Sequence, residues 1–412
     1  MSDQLRIAIV TTHPPGKGTL NEYGYYLVQH FRQNASIAEV ILIVDELPDG
    51  LSYQLDGPGC PVRIETVWAF NRWLNPMSIL RAVRRHKPDV VLFNMQFLSF
   101  GDQKIPAALG LHTPLLVKMA GFPTVALLHN IMEEVDLRSA GFAQHKAITL
   151  AFQKIGSLLT RVILSSDLVT VTIAKYVEVL ENKYQATNVA LIPHGSFELP
   201  AMPDFSLPPG PFTVMTFGKF GTYKRVEVLI EAVVLVRRRT QLPIRLVIAG
   251  TDSPNKAGYL ASIRAQYAEV PMLEFTGYVD EADVPRVFRE SAVVVFPYSS
   301  TTGSSGVLHQ AGSYGRAAIL PNIGDLAHLI QEEGYAGAFF EPEQVGSLAD
   351  ALQSVLENDE YRRELALTNY LASVTLPMAD IVDWYYLHFL QLLKEQRRLL
   401  RGTRPVPAEI PA

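Results

Sequence analysis

Short, continuously apolar runs alternate with stretches of helical period along most of this chain. A strand that is apolar on both faces is typical of a parallel sheet covered by helices on each side, because only protein touches it. The sequence therefore predicts an α/β fold built on doubly wound parallel sheets. In the first half, strands are predicted at residues 6–11, 40–44, 62–67, 89–93, 124–129, 169–173 and 189–192, and helices include 21–33 and 75–86.

The pattern stops at residues 196–210 and then restarts. This segment, SFELPAMPDFSLPPG, is rich in proline, which favours an extended hinge. We therefore expect two Rossmann-like domains, at residues 1–195 and 211–379, facing a cleft at the carboxyl ends of their strands. In the second domain, strands are predicted at residues 212–218, 242–250, 272–276, 292–297 and 317–321, and helices at 226–239, 256–268, 281–291, 306–314 and 347–358.

The end of the chain predicts one more helix and a tail. Residues 380–393 are strongly apolar with several aromatic side chains, so we expect a packing helix, extending over 380–396, that returns to the first domain. Residues 397–412 combine four arginines with three prolines, which predicts a flexible, solvated tail. A weak contact of this tail with anionic lipid is the alternative.

Charge and composition disfavour several classes of protein. The chain of 412 residues carries a formal net charge of −5, whereas a nucleic-acid backbone selects a basic surface. One cysteine, Cys60, allows neither an internal disulfide nor a cysteine-rich metal site. Residues 1–5 do not resemble a signal peptide, and no run reaches about 18 apolar residues. A cytoplasmic protein is expected, with peripheral contact at the inner face of the cell membrane as an alternative.

Three loops that each follow a strand and precede a helix are candidates for ligand binding. In the first, residues 11–22, Gly16 and Gly18 would let the backbone approach a phosphate closely. A tight turn without a ligand is the alternative interpretation. In the second, residues 218–225, three cations lie at the end of a strand, where they could hold a diphosphate. A solvated charged turn is the alternative there.

The third loop, residues 298–310, begins with nine residues that are all glycine or bear a hydroxyl. It runs directly into a predicted helix start, so backbone N–H groups and the helix dipole could bind an anion. A surface loop without a ligand is the alternative. The carboxyl edge of the sheet, where this loop is expected, favours the ligand-binding interpretation.

His129 ends a predicted strand, where an imidazole can hydrogen-bond a sugar hydroxyl, although a lone histidine at a strand end is more often structural. The sequence has no closely spaced Asp-x-Asp pair of the kind that holds a metal–diphosphate. A leaving diphosphate would then be neutralised by lysine, arginine and backbone dipoles. We therefore expect no metal and no other cofactor.

Together these loops resemble the GT-B glycosyltransferases, in particular the retaining family 4, over nearly the whole chain. Residues 218–232, GKFGTYKRVEVLIEA, are similar to the family's donor-binding segment, which implies that Lys219 and Lys224, next to Gly218, hold the donor diphosphate. Residues 275–279, FTGYV, are similar to the turn whose backbone holds the nucleobase, here at Tyr278 and Val279.

Other positions are assigned by the same resemblance. Residues 192–195, IPHG, resemble the IPNG that closes the family's first domain, and His129 matches a histidine that touches the donor sugar. The remaining donor-binding residues implied are Gly16, Gly18, Thr302, Gly303, Ser304, Ser305, Gly306, Val307 and Gln310, and the residues implied near the acceptor are Asn21, Glu22 and Asn94.

The chain departs from the family at two charged positions. The family has two glutamates separated by seven residues, where this chain has Thr302 and Gln310. Threonine and glutamine keep hydrogen-bonding capacity but carry no charge. The replacement leaves room for an altered enzyme.

The resemblance implies a metal-independent retaining transferase that moves a hexose, with glucose from UDP-glucose the leading expectation, to a glycan or lipid-linked acceptor. The expected pathway is the synthesis of exopolysaccharide or cell-envelope glycan. Two alternatives stay open. One is an inverting transferase or a sugar-nucleotide epimerase, for which His13 is the nearest candidate base. The other is a non-catalytic protein that binds a sugar nucleotide.

Overall fold

The computed structural model describes residues 4–16, 18–55, 57–131, 146–197, 201–207, 209–253, 256–280, 282–301 and 304–400. The chain divides into two compact units. Unit 1 is drawn from Met1–Glu133, Phe152–Pro193 and Met378–Ala412, and unit 2 from Glu134–Ala151 and His194–Pro377.

Unit 1 is built on a seven-stranded parallel sheet with the order β3-β2-β1-β4-β5-β6-β7. The strand order reverses between β1 and β4, and this reversal places the ends of β1, β4 and β5 side by side. The strands are β1 Leu5–Val10, β2 Ile37–Asp45, β3 Val62–Trp68, β4 Val90–Met95, β5 Thr124–Leu128, β6 Leu168–Val171 and β7 Val189–Leu191. The helices are α1 Asn21–Gln33, α2 Asn75–His86, α3 Lys104–Leu111, α4 Thr113–Met119 and α6 Ala174–Tyr184, together with the part of α5 Lys146–Ile163 from Phe152 onward.

Unit 2 is built on a six-stranded parallel sheet with the order β10-β9-β8-β11-β12-β13. Its strand order reverses between β8 and β11. The strands are β8 Phe212–Phe220, β9 Ile244–Asp252, β10 Leu273–Gly277, β11 Val293–Val295, β12 Ala317–Pro321 and β13 Ala338–Phe340. The helices are α7 Val226–Thr240, α8 Tyr259–Gln266, α9 Val284–Arg289, α10 Gly306–Ser313, α11 Gly324–Glu333, α12 Val345–Glu357 and α13 Asp359–Val374.

The predicted doubly wound parallel architecture is confirmed, with both sheets buried between helices. The central strand β4 is buried at all six positions, as its unbroken apolar run predicts. Strand β8 is longer than predicted, because it pairs with β9 as far as Phe220 and Asp252. Gly218 and Lys219 therefore lie within a strand, and only the residues after Phe220 form the connecting loop.

A long final helix, α14, spans Met378–Leu400 and belongs to unit 1. Phe389 is fully buried and stacks on Phe31 of α1, with ring centres 5.9 Å apart. The Tyr385 hydroxyl lies 3.0 Å from Oγ1 of Thr170 in β6. The helix continues through residues 397–400, so the predicted flexible tail does not begin at Arg397; residues 401–412 lie outside the described part.

We expect that the substitution Phe389→Ala lowers the free energy of unfolding by about 3–5 kcal/mol, because it removes a fully buried aromatic ring and leaves a cavity against α1. Leu387→Ala, on the exposed side of the same helix, is the control and should change it by less than about 0.5 kcal/mol. Urea denaturation followed by circular dichroism measures both. Equal losses in the two variants would contradict the packing described for α14.

Candidate functional site

Two of the predicted ligand-binding loops meet at the carboxyl edge of the unit 2 sheet. They follow β8 and β11, which are neighbours at the reversal of strand order. Lys224 and Tyr298 form an antiparallel bridge, and the Arg225 N–H donates to the Pro297 carbonyl at 2.8 Å. The Ser299 N–H donates to the Tyr223 carbonyl at 2.9 Å. Residues far apart in the sequence thus form one continuous surface.

Lys224 is a buried cation at the centre of this surface, with 7% of its side chain exposed. Its Nζ donates to the Phe217 carbonyl at 3.2 Å and lies 4.9 Å from the centre of the Tyr298 ring. Among the described residues, no carboxylate lies within ion-pair distance of this ammonium group. Burial, followed by the positive charge of Lys219, lowers the pKa of Lys224 to about 8. A carbonyl and an aromatic face offset only part of the cost of desolvating a charge, so the site favours an added anion.

Two glycines make room for this ammonium group. A Cβ atom at Gly218 would lie 2.4 Å from Nζ of Lys224, and Gly218 has a φ of +130°, a conformation that other residues rarely adopt. On the neighbouring strand, a Cβ atom at Gly250 would lie 1.9 Å from the Gly218 carbonyl oxygen. Gly218, predicted to bind the donor, thus gives Lys224 its space.

The other two cations of the predicted loop have different surroundings. Lys219 is half-buried, and burial lowers its pKa. No acidic side chain within the described residues forms an ion pair with it. Arg225 instead pairs with Glu227 at 2.7 Å and with Glu343 at 3.4 Å. The surface therefore presents two cations, Lys219 and Lys224, and the third predicted cation is neutralised by carboxylates.

The N-terminus of α10 follows the second loop of this surface. Ser305 precedes the helix, and its carbonyl accepts from the N–H groups of Leu308 and His309. The first turn starts at Gly306, and the first N–H groups of a helix have no partner within it. Among the predicted residues, Ser304, Ser305, Gly306 and Val307 are half-buried in this turn, and Gln310 is buried one turn later. Thr302 and Gly303 lie outside the described residues.

A buried polar cluster that the sequence did not reveal lies against α10. The rings of His194 and His309 stack 4.8 Å apart, and a Cβ atom at Gly306 would lie 3.6 Å from the His194 ring. Nδ1 of His309 lies 2.7 Å from the Tyr335 hydroxyl, and its Nε2 lies 3.6 Å from Glu333.

Burial keeps this cluster neutral. It lowers the pKa of His194 to about 4 and lowers the pKa of His309 well below its ordinary value. Burial, followed by the charge of Glu332, raises the pKa of Glu333 to about 8. At neutral pH the cluster therefore adds no net charge beneath the N-terminus of α10.

The predicted nucleobase turn lies at the same edge of the sheet. Tyr278 and Val279 directly follow β10; the tyrosine ring is exposed and the valine is packed on the core. They also line a cavity of about 360 Å³, whose other walls come from β8, β9, β10 and the region of α9. None of the residues that line this cavity belongs to the loops that carry Lys224, so we do not assign the cavity to the anion.

In unit 1, the glycines of the first loop are explained by contacts within the protein. A Cβ atom at Gly18 would lie 2.4 Å from the Thr12 side chain, and one at Gly16 would lie 2.9 Å from the His13 carbonyl. The Asn21 amide, predicted to lie near the acceptor, donates to the Gly16 carbonyl. These contacts support the interpretation of this loop as a tight turn. Glu22, also predicted to lie near the acceptor, is in the first turn of α1.

His129 is oriented by a chain of hydrogen bonds across the ends of three adjacent strands. Its Nε2 lies 2.6 Å from Oδ1 of Asn94, whose Nδ2 donates to Oγ1 of Thr11 at 2.9 Å. Because Asn94 donates from Nδ2, its Oδ1 must accept, so Nε2 of His129 carries a proton. Asn94 is 3% exposed and positions His129, while its contact with the acceptor stays a prediction.

His13 is the other histidine at this edge. Its Nδ1 lies 2.7 Å from the Pro14 carbonyl, so Nδ1 carries the proton. Its Nε2 is buried and has no hydrogen-bond partner among the described residues. Burial lowers the pKa of His13, partly opposed by the bond to Pro14, so the ring is a neutral acceptor at pH 7.

Solved structures and relatives define the class of the protein. HepE of Anabaena, crystallised with UDP and glucose, aligns with 94% of this chain and 100% of its own, at 14% identity and a TM-score of 0.66. Sucrose-phosphate synthase of Thermosynechococcus elongatus aligns with 97% of this chain and 100% of its own, at 16% identity and a TM-score of 0.66. With parallel sheets of seven and six strands, the chain has the GT-B fold of glycosyltransferases, as predicted.

The sequence of unit 2 is similar to a known family. Residues 211–358 match the model of the family Glycosyl transferases group 1. The D-inositol 3-phosphate glycosyltransferase of Pseudarthrobacter chlorophenolicus is 26% identical over 175 residues. That alignment covers 41% of this chain and 40% of the relative. Within the described residues, no group of three or more His, Cys, Asp or Glu side chains is arranged to hold a metal ion.

We expect that Lys224→Met raises the stability of the protein without ligand at pH 7. A pKa lowered from 10.5 to about 8 corresponds to a destabilisation on the order of 3 kcal/mol below pH 8, because the unfolded chain then holds the proton more tightly. The folded wild type loses this proton as the pH rises through 8, so the gain should shrink toward pH 10. Thermal melts from pH 6 to 10 measure it, with exposed Lys256→Met as the control. A stability gain that does not change with pH would contradict the claim that Lys224 is a buried charge.

Proposed function

We propose that the chain is a retaining glycosyltransferase that moves a hexose, with glucose from UDP-glucose as the leading candidate. The buried ammonium of Lys224, with no carboxylate partner among the described residues, carries this proposal. It lies at the carboxyl edge of a sheet in the region that matches the group 1 family, where a donor diphosphate would replace the lost solvation. HepE, which shares the fold, was crystallised with UDP-glucose.

The proposed chemistry is stabilisation of the leaving group. Breaking the bond between the sugar and the diphosphate develops negative charge on the departing phosphate oxygen. Lys219, Lys224 and the first N–H groups of α10 would oppose that charge, without a metal ion. Fixed groups of this kind need no rearrangement when the bond breaks, so they stabilise the transition state more than a flexible surface lysine would.

The role proposed for His129 is to orient the transferred sugar. Its hydrogen bond to Asn94, which itself donates to Thr11, fixes the tautomer and the plane of the ring, so the ring presents a defined hydrogen-bonding edge. The acceptor hydroxyl would attack the face from which the diphosphate leaves, with retention of configuration. The proposed acceptor is a glycan or a lipid-linked sugar of exopolysaccharide or cell-envelope synthesis, and the proposed location is the cytoplasm.

A second candidate is a protein that binds a sugar nucleotide without transferring the sugar. Gln310, where the family has a glutamate, is buried and neutral, which favours this candidate. The two candidates share the cationic surface and differ only in turnover.

A thermal-shift series with UDP and without metal tests whether this shared surface binds the nucleotide. UDP at about 100 times its Kd should add about 2.7 kcal/mol of stability in the wild type.

We expect that Lys224→Ala lowers kcat for UDP-glucose hydrolysis or transfer by about 10²-fold or more, because one fixed electrostatic contact to the leaving group is lost. Release of UDP measures the rate, with Lys256→Ala as the control for loss of an exposed lysine. NMR of the product anomer then tests retention. An unchanged rate would remove Lys224 from the mechanism. A product of inverted configuration would favour His13 as a base. Binding of UDP without turnover, over a wide panel of acceptors, would favour the second candidate.

A further inference from the structure

A set of large apolar side chains is exposed on unit 1, on the segments that follow strands β3 and β4. These side chains are between 43% and 64% exposed, although side chains of this kind are usually buried. One segment runs from the end of β3 into α2, and the other runs from the end of β4 into α3. The members are Phe70, Trp73, Leu74, Met77, Leu98 and Ile105, which we name the apolar patch.

Asn71 joins the two segments into one rigid surface. Its N–H donates to the Phe100 carbonyl at 2.9 Å, and its Oδ1 accepts from the N–H groups of Asp102 and Gln103, each at 3.0 Å. Its Nδ2 donates to Asp102 Oδ1 at 2.7 Å. Below the patch, the buried rings of Trp68 and Phe100 contact each other edge to face. The exposed side chains are therefore held in place by a packed base, so the patch is part of the folded surface.

A basic band continues from the patch along α2. Met77, Arg81 and Arg84 are exposed at positions i, i+4 and i+7, which lie on one face of a helix. In the described part of the chain, neither arginine forms an ion pair. Lys87, which directly follows this helix, is also an exposed cation.

Two of the acidic groups beside the band are paired with cations. Glu46 pairs with Arg72, and Glu65 pairs with Arg85 at 3.0 Å and with His86 at 2.6 Å. Asp89 and Asp102 accept only from a backbone N–H and a neutral amide among the described contacts. The exposed cations Arg81, Arg84 and Lys87 outnumber these two carboxylates, so the excess charge on this face is positive, although the chain as a whole has a net charge of −5. This face would repel the same face of a second copy of the chain, and it would attract an anionic surface.

We infer that the apolar patch and the basic band together dock unit 1 on an anionic lipid surface. Aromatic and aliphatic side chains beside a row of arginines are the pattern of a helix end that enters the interface of a bilayer. The apolar side chains would enter the acyl boundary, and Arg81 and Arg84 would contact lipid phosphates. Within the described residues, no helix has the length and hydropathy that crossing a bilayer requires, and the proposed contact needs none. The inference does not depend on the proposed transfer reaction.

The test is co-sedimentation of the full chain with vesicles of phosphatidylglycerol and phosphatidylcholine, against vesicles of phosphatidylcholine alone, without a sugar nucleotide. The double variant Trp73→Ser with Leu74→Ser should lower the vesicle partition constant at least tenfold. Arg81→Glu with Arg84→Glu should lower binding to the anionic vesicles at least tenfold. The matched control is Leu367→Ser with Leu371→Ser, which removes two exposed leucines from α13 and should leave binding unchanged.

Tryptophan fluorescence reports whether the patch itself enters the lipid. The chain has three tryptophans, of which Trp68 is buried and Trp73 and Trp384 are exposed. On anionic vesicles, the emission of Trp384→Phe should shift to the blue, and that of Trp73→Phe should not, although both variants still bind.

Three results would overturn the inference. The first is vesicle binding that survives the patch substitutions but is lost when the arginines of residues 397–404 are replaced by glutamine. The second is a dimer in light scattering that dissociates in the patch variant, with no vesicle binding. The third is no binding by the wild type to anionic vesicles at low salt, even though it binds UDP.

Discussion

The structure of the loops in unit 2 depends on holding the buried ammonium group of Lys224 in place. It is a buried cation that contacts a backbone carbonyl and two aromatic rings. Such a charge is tolerated when the fold fixes it from several sides, and here β8, its following loop and the loop after β11 all contribute. The free energy lost by desolvating it is recovered when an anion binds, which couples the stability of the loops to the ligand.

The surroundings of this cation have little negative charge to oppose it. Lys219 adds a second positive charge, and the two histidines and Glu333 beside α10 are neutral at pH 7 for the same reason, burial. The N-terminus of α10 therefore keeps its partial positive charge towards the same surface. Gln310, which is buried in α10, adds no charge to this surface.

The repeating apolar strands allowed the fold to be predicted from the sequence, because a parallel sheet buried on both faces leaves an unambiguous pattern. Helices α1 and α2 begin and end where their amphipathic periods predict. The three-residue strand β13 was missed because so short a run has no period. The loop motif predicted Lys219 and Lys224 as cations of the site but did not separate them from Arg225, because one of the two carboxylates that pair with Arg225, Glu343, lies 118 residues away in the chain. The stacking of His194 on His309 could also not be predicted from the sequence, because it depends on tertiary packing.

The central claim is that Lys224 is a poorly solvated cation that an added diphosphate completes. NMR titration of the Lys224 side chain, in protein labelled at lysine Cε and assigned with Lys224→Met, measures its pKa directly. We predict a pKa of about 8 in the free protein and a rise of one unit or more when UDP is bound, without metal. An ordinary lysine pKa in the free protein, or a value that UDP leaves unchanged, would contradict the account.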